Sequence, residues 1–413
     1  MKKTLLLSVV ASTMIMAGGN IAPVEPVVEA PVVVPASDWD FAGKSVVYYQ
    51  TTNLPVTTGK LFKKASSAAD AGFQLNAVNK DVVGGIGMGV TLNGLATLNL
   101  ENNLVSGVMQ SDKGAIQGGW IGELYATYGM GNTSLKLGRQ TLPAGLSPFA
   151  HSEGWNVFEN TYDAALVVNS SIPNTTLVYA WVFNSNQNGY ANIGGLNPVT
   201  GLTYGDMSTF GQVNKKNGVH MITVQNKSVS NLTLTGSYYY GKDKISTGNA
   251  LSIIWADAAY KAGSFNIAAQ GGQVSDSSAG FNKTTAYGVK VGASFAGINA
   301  HAAYSSVNKS TLGVFNVGGQ QTALYTQMIF NEGANSNDNK TWVVAANTAL
   351  LGGTFGAAYG SSKNGTTSVD TKEADVYYTA DMIGGNYLFG YVNQKTGTAS
   401  ATNIVRVVAR YKF

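Results

Sequence analysis

The chain of 413 residues has no cysteine, which excludes disulfides, thiolate metal sites and cysteine nucleophiles together. Charged residues are also scarce, at 12% of the chain against about 25% in average proteins. No apolar run reaches the length of about 18 residues that a membrane-spanning helix requires. The net charge is only +4 and no dense basic stripe accompanies the aromatic residues, so we predict no nucleic-acid partner. The apolar residues, 44% of the chain, must therefore be divided among many short segments.

The N-terminus has the pattern of an export signal. Lys2 and Lys3 precede an apolar stretch that ends at the small residues Ala17-Gly18-Gly19, which suit signal peptidase. We therefore predict a cleaved signal peptide over 1–19. Proline and valine dominate the next segment, 20–37, which we interpret as an extended periplasmic leader.

The rest of the chain, 38–413, alternates apolar and polar residues in short segments separated by turns rich in Gly, Asn and Ser. Leu177 and Tyr179, for example, share one face of such a segment. A period of two over about ten residues is typical of strands with one side toward lipid and one toward water. We predict an all-β, transmembrane antiparallel β-barrel of eighteen strands. Sixteen strands is the alternative, because 40–50 and 84–93 are weakly patterned.

The connections between these segments alternate in length. Short connections fit periplasmic turns, and long polar ones fit extracellular loops. The segment 321–330 looks strand-like, but an odd strand would break the parity, so we place it in an extracellular loop. The loop 141–159 follows the third upward strand, and we predict that it folds inward and constricts the pore.

The C-terminal segment is the most specific single motif. Tyr411 and Phe413 end an apolar face, while Arg406, Arg410 and Lys412 occupy the alternate positions. Exposing three cations to hydrocarbon would cost a large free energy, so they are predicted to face a water-filled lumen. A terminal aromatic on such a strand is typical of the signal that the barrel-assembly machinery reads, and we assign that role to Tyr411 and Phe413.

Three stretches carry a family resemblance. The ending RVVARYKF resembles that of campylobacter-type major outer membrane porins, as do SLKLGRQTLPAGL and NTYDAALVVNSSIPNTTLVYAWVF. That family is similar to the general and carboxylate-selective porins of eighteen strands. The resemblance implies a homotrimer and an inward-folded constriction loop that begins after Gly138-Arg139-Gln140.

Charged residues at inward positions are the candidates for pore function. We hypothesise that Glu153 and Glu159 face a basic wall containing Arg139, with Arg406 or Arg410 as further members. The alternative is that the loop acids are solvent-exposed and have no effect on ion selectivity. The constriction candidates are Arg139, His151, Glu153, Glu159 and Asp163. The lumen-wall candidates are Glu123, Lys136, Asp375, Asp381, Arg406, Arg410 and Lys412.

These patterns favour an outer-membrane porin of a Gram-negative cell, through which ions and small hydrophilic solutes diffuse passively. Alternatives are a surface adhesin or structural barrel, and a hydrolase that uses His151 beside Ser152 and Glu153. We predict no enzyme activity and no cofactor. Ca²⁺ at Asp338 is the one metal considered, although an ordinary solvated loop is favoured there. Expected partners are outer-membrane lipid, lipopolysaccharide, the barrel-assembly machinery and two further copies of the chain.

Overall fold

The computed structural model describes residues 39–54, 59–189, 206–214, 217–243 and 247–413. The predicted signal peptide and leader lie outside the described residues. Within the described residues, no helix is long and apolar enough to cross a membrane. The only helical elements there are three short 3-10 helices, Lys64–Ser66, Leu100–Asn102 and Glu332–Asn335.

Strands account for the rest of the regular structure, and all of them belong to one sheet. The strands are β1 (Asp40–Thr52), β2 (Ser67–Val83), β3 (Ile86–Ala96), β4 (Gly118–Met130), β5 (Thr133–Gln140), β6 (Tyr162–Asn169), β7 (Thr175–Ser185), β8 (Gly211–Gln212), β9 (Val219–Asn226), β10 (Leu232–Lys242), β11 (Ala250–Ala262), β12 (Phe265–Asp276), β13 (Thr284–Phe295), β14 (Ile298–Val307), β15 (Asn339–Leu350), β16 (Gly353–Asn364), β17 (Asp370–Met382), β18 (Gly385–Thr396) and β19 (Thr402–Lys412).

The sheet closes on itself. β19 pairs with β1 in an antiparallel register that sets Arg410 opposite Val46. β8 has only two residues and pairs with the end of β7, while β7 itself continues to β9. The barrel wall therefore has eighteen strands, nineteen less the short β8, which confirms the prediction. The alternative of sixteen is wrong, because both weakly patterned segments form wall strands, β1 and β3. Closure leaves no unpaired edge.

The period of two sets which side chains face outward. On β13, Val289 and Val291 are 46% and 49% exposed, whereas Lys290 between them is 4% exposed. The apolar side thus faces outward and the polar side inward, the reverse of a soluble barrel. Two-residue turns connect several strands. In the turn Ala296-Gly297 both residues have positive φ, 50° and 81°, which is the type I′ geometry that matches the twist of paired strands.

Two long connections fold into the barrel and supply its core. We call residues 141–161, between β5 and β6, the first inward loop, and residues 308–338, between β14 and β15, the second inward loop. The Phe149 ring of the first loop lies 5.2 Å from the ring of Trp255 and 5.7 Å from that of Tyr239, both inward-facing. Buried apolar residues of both loops join inward residues of β6 to β14 in one cluster. The strand-like segment 321–330 forms no strand and lies within the second loop.

Candidate functional site

The two inward loops meet at Glu153, which is 0% exposed. Its Oε1 accepts hydrogen bonds from Asn316 Nδ2 and Gln321 N, both at 2.8 Å. Its Oε2 accepts from Gln320 N at 3.0 Å and from Trp155 Nε1 at 2.9 Å. Three of these donors belong to the second loop and one to the first. The carboxylate therefore connects the loops, and all of its donors are neutral groups.

The other side of Trp155 contacts the barrel wall. The Arg406 guanidinium carbon lies 5.4 Å from the centre of the Trp155 ring and 5.6 Å from that of Tyr48. Arg406 Nε also donates to Gln50 Oε1 at 3.0 Å. Two aromatic rings and one amide thus restrict the orientation of a single guanidinium, and cation–π attraction stabilises the arrangement.

Arg406 belongs to a basic wall, which we define as Lys44, Arg406, Arg410 and Lys412 on the inward face of β1 and β19. The register places Lys44 directly opposite Lys412. Arg410 Nη2 donates to Asn156 O at 3.1 Å and to Gly154 O at 3.4 Å. The first inward loop therefore presents backbone carbonyls to this wall. Glu159 of the same loop interacts electrostatically with Arg410, one of the hypothesised partners, and with Lys44, which was not among them.

Inward residues of β4 and β5 support the start of the first loop. Glu123 Oε1 accepts from Thr141 N at 2.9 Å, and its Oε2 accepts from Thr91 Oγ1 at 3.0 Å. The Lys136 ammonium lies 3.7 Å from the centre of the Tyr125 ring. Both predicted wall residues occur at inward positions, and Glu123 also holds the loop backbone.

Arg139 and Asp163 occupy a different place from the one predicted. Arg139 Nε lies 2.8 Å from Asp163 Oδ1, and the two residues are opposite each other on β5 and β6. Arg139 shares its strand face with Leu137, which is 53% exposed, and pairs with the 45% exposed Leu124. The pair therefore lies on the outward face of the barrel. The Phe210 ring covers the guanidinium at 3.3 Å. These residues do not face Glu153, which corrects the expectation that Arg139 and Asp163 are constriction residues.

Asp375 on β17, two strands from β19 in the wall, contacts the second loop. Its Oδ2 accepts from Ile329 N at 3.3 Å, and the neighbouring inward acid Glu373 accepts from Phe330 N at 2.8 Å. Burial, together with Glu153 and Asp375 nearby, raises the pKa of the Glu332 carboxyl in this loop to about 8. Asp381 lies near the end of β17, where it accepts from Asn386 Nδ2 at 2.8 Å. Asp375 thus anchors a loop, whereas Asp381 is exposed.

His151 is buried, and that burial lowers the pKa of its imidazole. Its Nε2 lies 3.5 Å from Gln321 Oε1, whereas the hydroxyl of the adjacent Ser152 accepts from Leu142 N at 3.2 Å. The side chains of His151 and Ser152 therefore reach different partners. Nothing in this geometry favours the hydrolase alternative, which would need the imidazole to activate a hydroxyl.

The calcium candidate is an internally bonded loop. Asp338 Oδ2 accepts from Thr366 Oγ1 at 2.6 Å, and Asn337 Oδ1 accepts from Ser310 N at 2.6 Å. Asn335 is buried and accepts from Thr326 Oγ1. Among the residues that the structure describes, no group of three or more His, Cys, Asp and Glu side chains has a metal-binding arrangement.

The chain end lies at the seam where the barrel closes. Phe413 and Gly43 exchange two backbone hydrogen bonds, of 2.8 and 3.0 Å. The Phe413 ring stacks on Phe73 with 5.7 Å between centres, and a Cβ on Gly43 would lie 2.4 Å from it. The Tyr411 hydroxyl bonds to that of Tyr387. The assembly role of the two terminal aromatics stays a prediction.

Sequence reasoning missed Lys44, Tyr48, Trp155 and Glu373. Trp155 lies within the loop that was predicted to fold inward, and this position alone could have marked it as a candidate constriction residue. Lys44 and Tyr48 lie on β1, whose weak pattern obscured which of its residues face inward. Glu373 shares its strand face with Asp375, so strand phase alone would have found it.

Comparison with solved structures identifies the fold. OpdK from Pseudomonas aeruginosa superposes with a TM-score of 0.70, over 91% of this chain and 98% of that chain, at 14% identity. OccD3 (OpdP) from the same organism gives a TM-score of 0.70, covering 93% of each chain, at 12% identity. The chain has the fold of the eighteen-stranded outer-membrane porins. OpdK with vanillate, at a TM-score of 0.69 and 14% identity, covers 91% of this chain and 98% of that one and has the same porin fold. No family model and no curated protein matches the sequence. At sequence identities this low, the similarity shows the porin fold and nothing further.

Proposed function

We propose that this protein is an outer-membrane porin through which ions and small hydrophilic solutes diffuse passively. The observation that carries the proposal is the basic wall of Lys44, Arg406, Arg410 and Lys412 beside the first inward loop. Four cations on one side of a water-filled lumen have a role in a channel, because they attract anions and orient dipolar solutes. A structural barrel has no need of them.

We further propose that small organic anions, carboxylates among them, are the preferred solutes. The basic wall groups four cations on two adjacent strands, and Glu159 and Glu123 act electrostatically on its Lys44. Glu332 and Asp375 act on its Arg406. Arg410 is half-buried and carries a planar guanidinium group, a kind of group that binds carboxylates in two-point contacts. Arg406 is 7% exposed and contributes its charge to the same wall. The vanillate in the OpdK crystal structure is itself a small carboxylate.

Planar-bilayer recording of the purified full-length protein tests both parts. We expect stepwise ohmic currents and, in a KCl gradient, a reversal potential that indicates anion preference. The double variant R406Q/R410Q should shift that potential toward cations. K395Q is the matched control, because Lys395 is exposed on the outward side of β18, and it should leave the potential unchanged. Absence of any conductance would instead favour the adhesin or structural barrel.

Export and assembly complete the proposal. We propose that residues 1–19 are removed and that the barrel is inserted into the outer membrane among lipopolysaccharide and lipid. Mass spectrometry of the protein from isolated outer membranes should give a mature N-terminus close to residue 20. An intact Met1 in that fraction would contradict the cleaved signal peptide. We also propose that the chain is a member of the campylobacter-type major outer membrane porins, which its sequence resembles.

The proposed homotrimer has support from the outward ion pair of Arg139 and Asp163. Arg139 and Asp163 lie at the loop ends of β5 and β6, where an outward charge costs up to about 1 kcal/mol against lipid, so contact with another copy of the chain is a suitable alternative to lipid there. Light scattering in detergent should give three times the mass of one chain. The variant R139L/D163L would lose trimers if the pair contacts another copy, and would keep them if it does not.

A further inference from the structure

We propose that Glu153 is a positioning residue, which holds Trp155 against Arg406 and so sets how the basic wall is presented to solutes. This inference rests on the proposed porin function. It differs from the simpler idea that Glu153 acts as a negative charge on the pore surface. Its burial at 0% exposure already separates it from the solute path.

The first step is the connection between the loops. Each carboxylate oxygen of Glu153 accepts two hydrogen bonds, so its usual acceptor sites are occupied by neutral donors. Oε2 is shared between Trp155 Nε1 of the first loop and Gln320 N of the second. Movement of one loop therefore displaces the bond to the other, and the two loops behave as a single constriction.

The second step is the orientation of Trp155. An indole N–H is a donor only, and here it donates to Glu153 Oε2 at 2.9 Å. That bond holds the ring centre 5.4 Å from the guanidinium carbon of Arg406, which also lies 5.6 Å from the centre of the Tyr48 ring. Without the bond the indole can rotate, and Arg406 loses one of its two aromatic neighbours.

The third step is the close approach of the second loop. A Cβ on Gly319 would lie 2.0 Å from Glu153 Oε1, nearer than any real contact allows. The preceding residue, Gly318, has φ of 79°, a conformation that favours glycine. The two glycines let the loop backbone reach the carboxylate, so this part of the second loop is shaped to bind it.

The two roles of Glu153 predict opposite signs. If Glu153 were a pore charge, E153Q would remove a negative charge and raise the anion preference. If it is a positioning residue, the Gln amide keeps one acceptor oxygen and places an NH₂ against the other pair of donors, either Trp155 and Gln320 or Asn316 and Gln321. The junction of the two loops then loosens, and Arg406 beside a less ordered Trp155 attracts anions less well. We expect the ratio of anion to cation permeability to fall by about twofold or more.

W155F provides a test without any change of charge. It keeps the ring but removes the N–H, so it should lower the permeability ratio in the same direction as E153Q. Both effects should disappear in an R406Q background, because the residues act through Arg406. An unchanged ratio in W155F, or a rise in E153Q, would overturn the inference.

Controls separate this outcome from misfolding and from failure of the proposed function. G319A should reproduce the E153Q effect, whereas G333A, at a glycine with open space around its Cβ position, should not. Heat-modified gel mobility shows whether each variant is folded, and W155F remains informative if E153Q is not. Wild-type protein without conductance contradicts the porin proposal, whereas conducting wild-type and variant channels with equal selectivity contradict only the role of Glu153.

Discussion

Arg139 and Asp163 face each other across β5 and β6 on the outward side of the barrel, with Nε 2.8 Å from Oδ1. Asn184 Nδ2 adds a hydrogen bond of 3.0 Å to Asp163 Oδ2. A paired charge on the outward face stabilises the wall and any contact made there, but it has no direct access to solutes in the lumen.

R139Q should therefore leave ion selectivity unchanged while it lowers stability. Loss of the charge-assisted bonds leaves Asp163 with Asn184 as its remaining side-chain donor, at a cost of about 1–3 kcal/mol. Reversal potential and thermal unfolding in detergent measure the two effects separately. A shift of the reversal potential comparable to that of R410Q would show that the guanidinium does reach the pore.

Alkaline pH should loosen the second inward loop around Glu332. The pKa of this carboxyl in the folded loop is raised to about 8, chiefly by burial, with Glu153 and Asp375 adding to it and Arg406 opposing it. The protonated form is therefore favoured while the loop is docked. The corresponding stability is complete below the ordinary glutamate pKa of about 4.3 and is lost as pH rises through about 8.

This pH effect can be followed with a single introduced cysteine, because the natural chain has none. Labelling of Met328→Cys, a site in the second loop that is 2% exposed, by a maleimide should accelerate from pH 6 to about 9 more than labelling of Gly145→Cys, an exposed site on the first loop that corrects for thiol ionisation. The substitution E332Q should abolish the difference. Equal acceleration at both sites would rule out loop release.

F413A should reduce the amount of barrel that reaches the outer membrane. Phe413 is 62% exposed, so its ring contributes little to a buried core, although it stacks on Phe73. Recognition by the assembly machinery is the stronger expected role. F73A removes the same stacking contact and serves as the control. If both variants reduce insertion equally, the ring matters for the seam between β1 and β19 and not for recognition.

G319A should destabilise the junction of the two loops as well as alter selectivity. Its Cβ has no room beside Glu153 Oε1, and overpacking of this kind costs about 1–3 kcal/mol. Protease digestion of folded protein should cut the second inward loop faster in G319A than in G333A. Equal digestion rates would mean that the backbone shifts to accept the methyl group at no cost.

The sequence by itself determined the barrel and favoured eighteen strands over sixteen. Val289 and Val291 alternate with Lys290, and such alternation holds wherever one strand face meets an apolar environment and the other meets water. The same rule placed Arg406 and Arg410 on the inward face of β19. Because two-residue periodicity is a local property, neighbouring residues suffice to detect it.

Only the tertiary structure decided which acids and bases meet in the lumen. The inward loops pack apolar side chains against β6 to β14, so on β6 the inward residues are Tyr162 and Ala164 while Asp163 faces outward. Where a loop covers the inward face of a strand with apolar side chains, that face is apolar as well, so hydrophobicity no longer distinguishes it from the outward face. Three of the four hydrogen-bond donors to the Glu153 carboxylate, Asn316, Gln320 and Gln321, lie more than 160 positions away along the chain. Such contacts depend on loop packing, which leaves no periodic signal in the sequence.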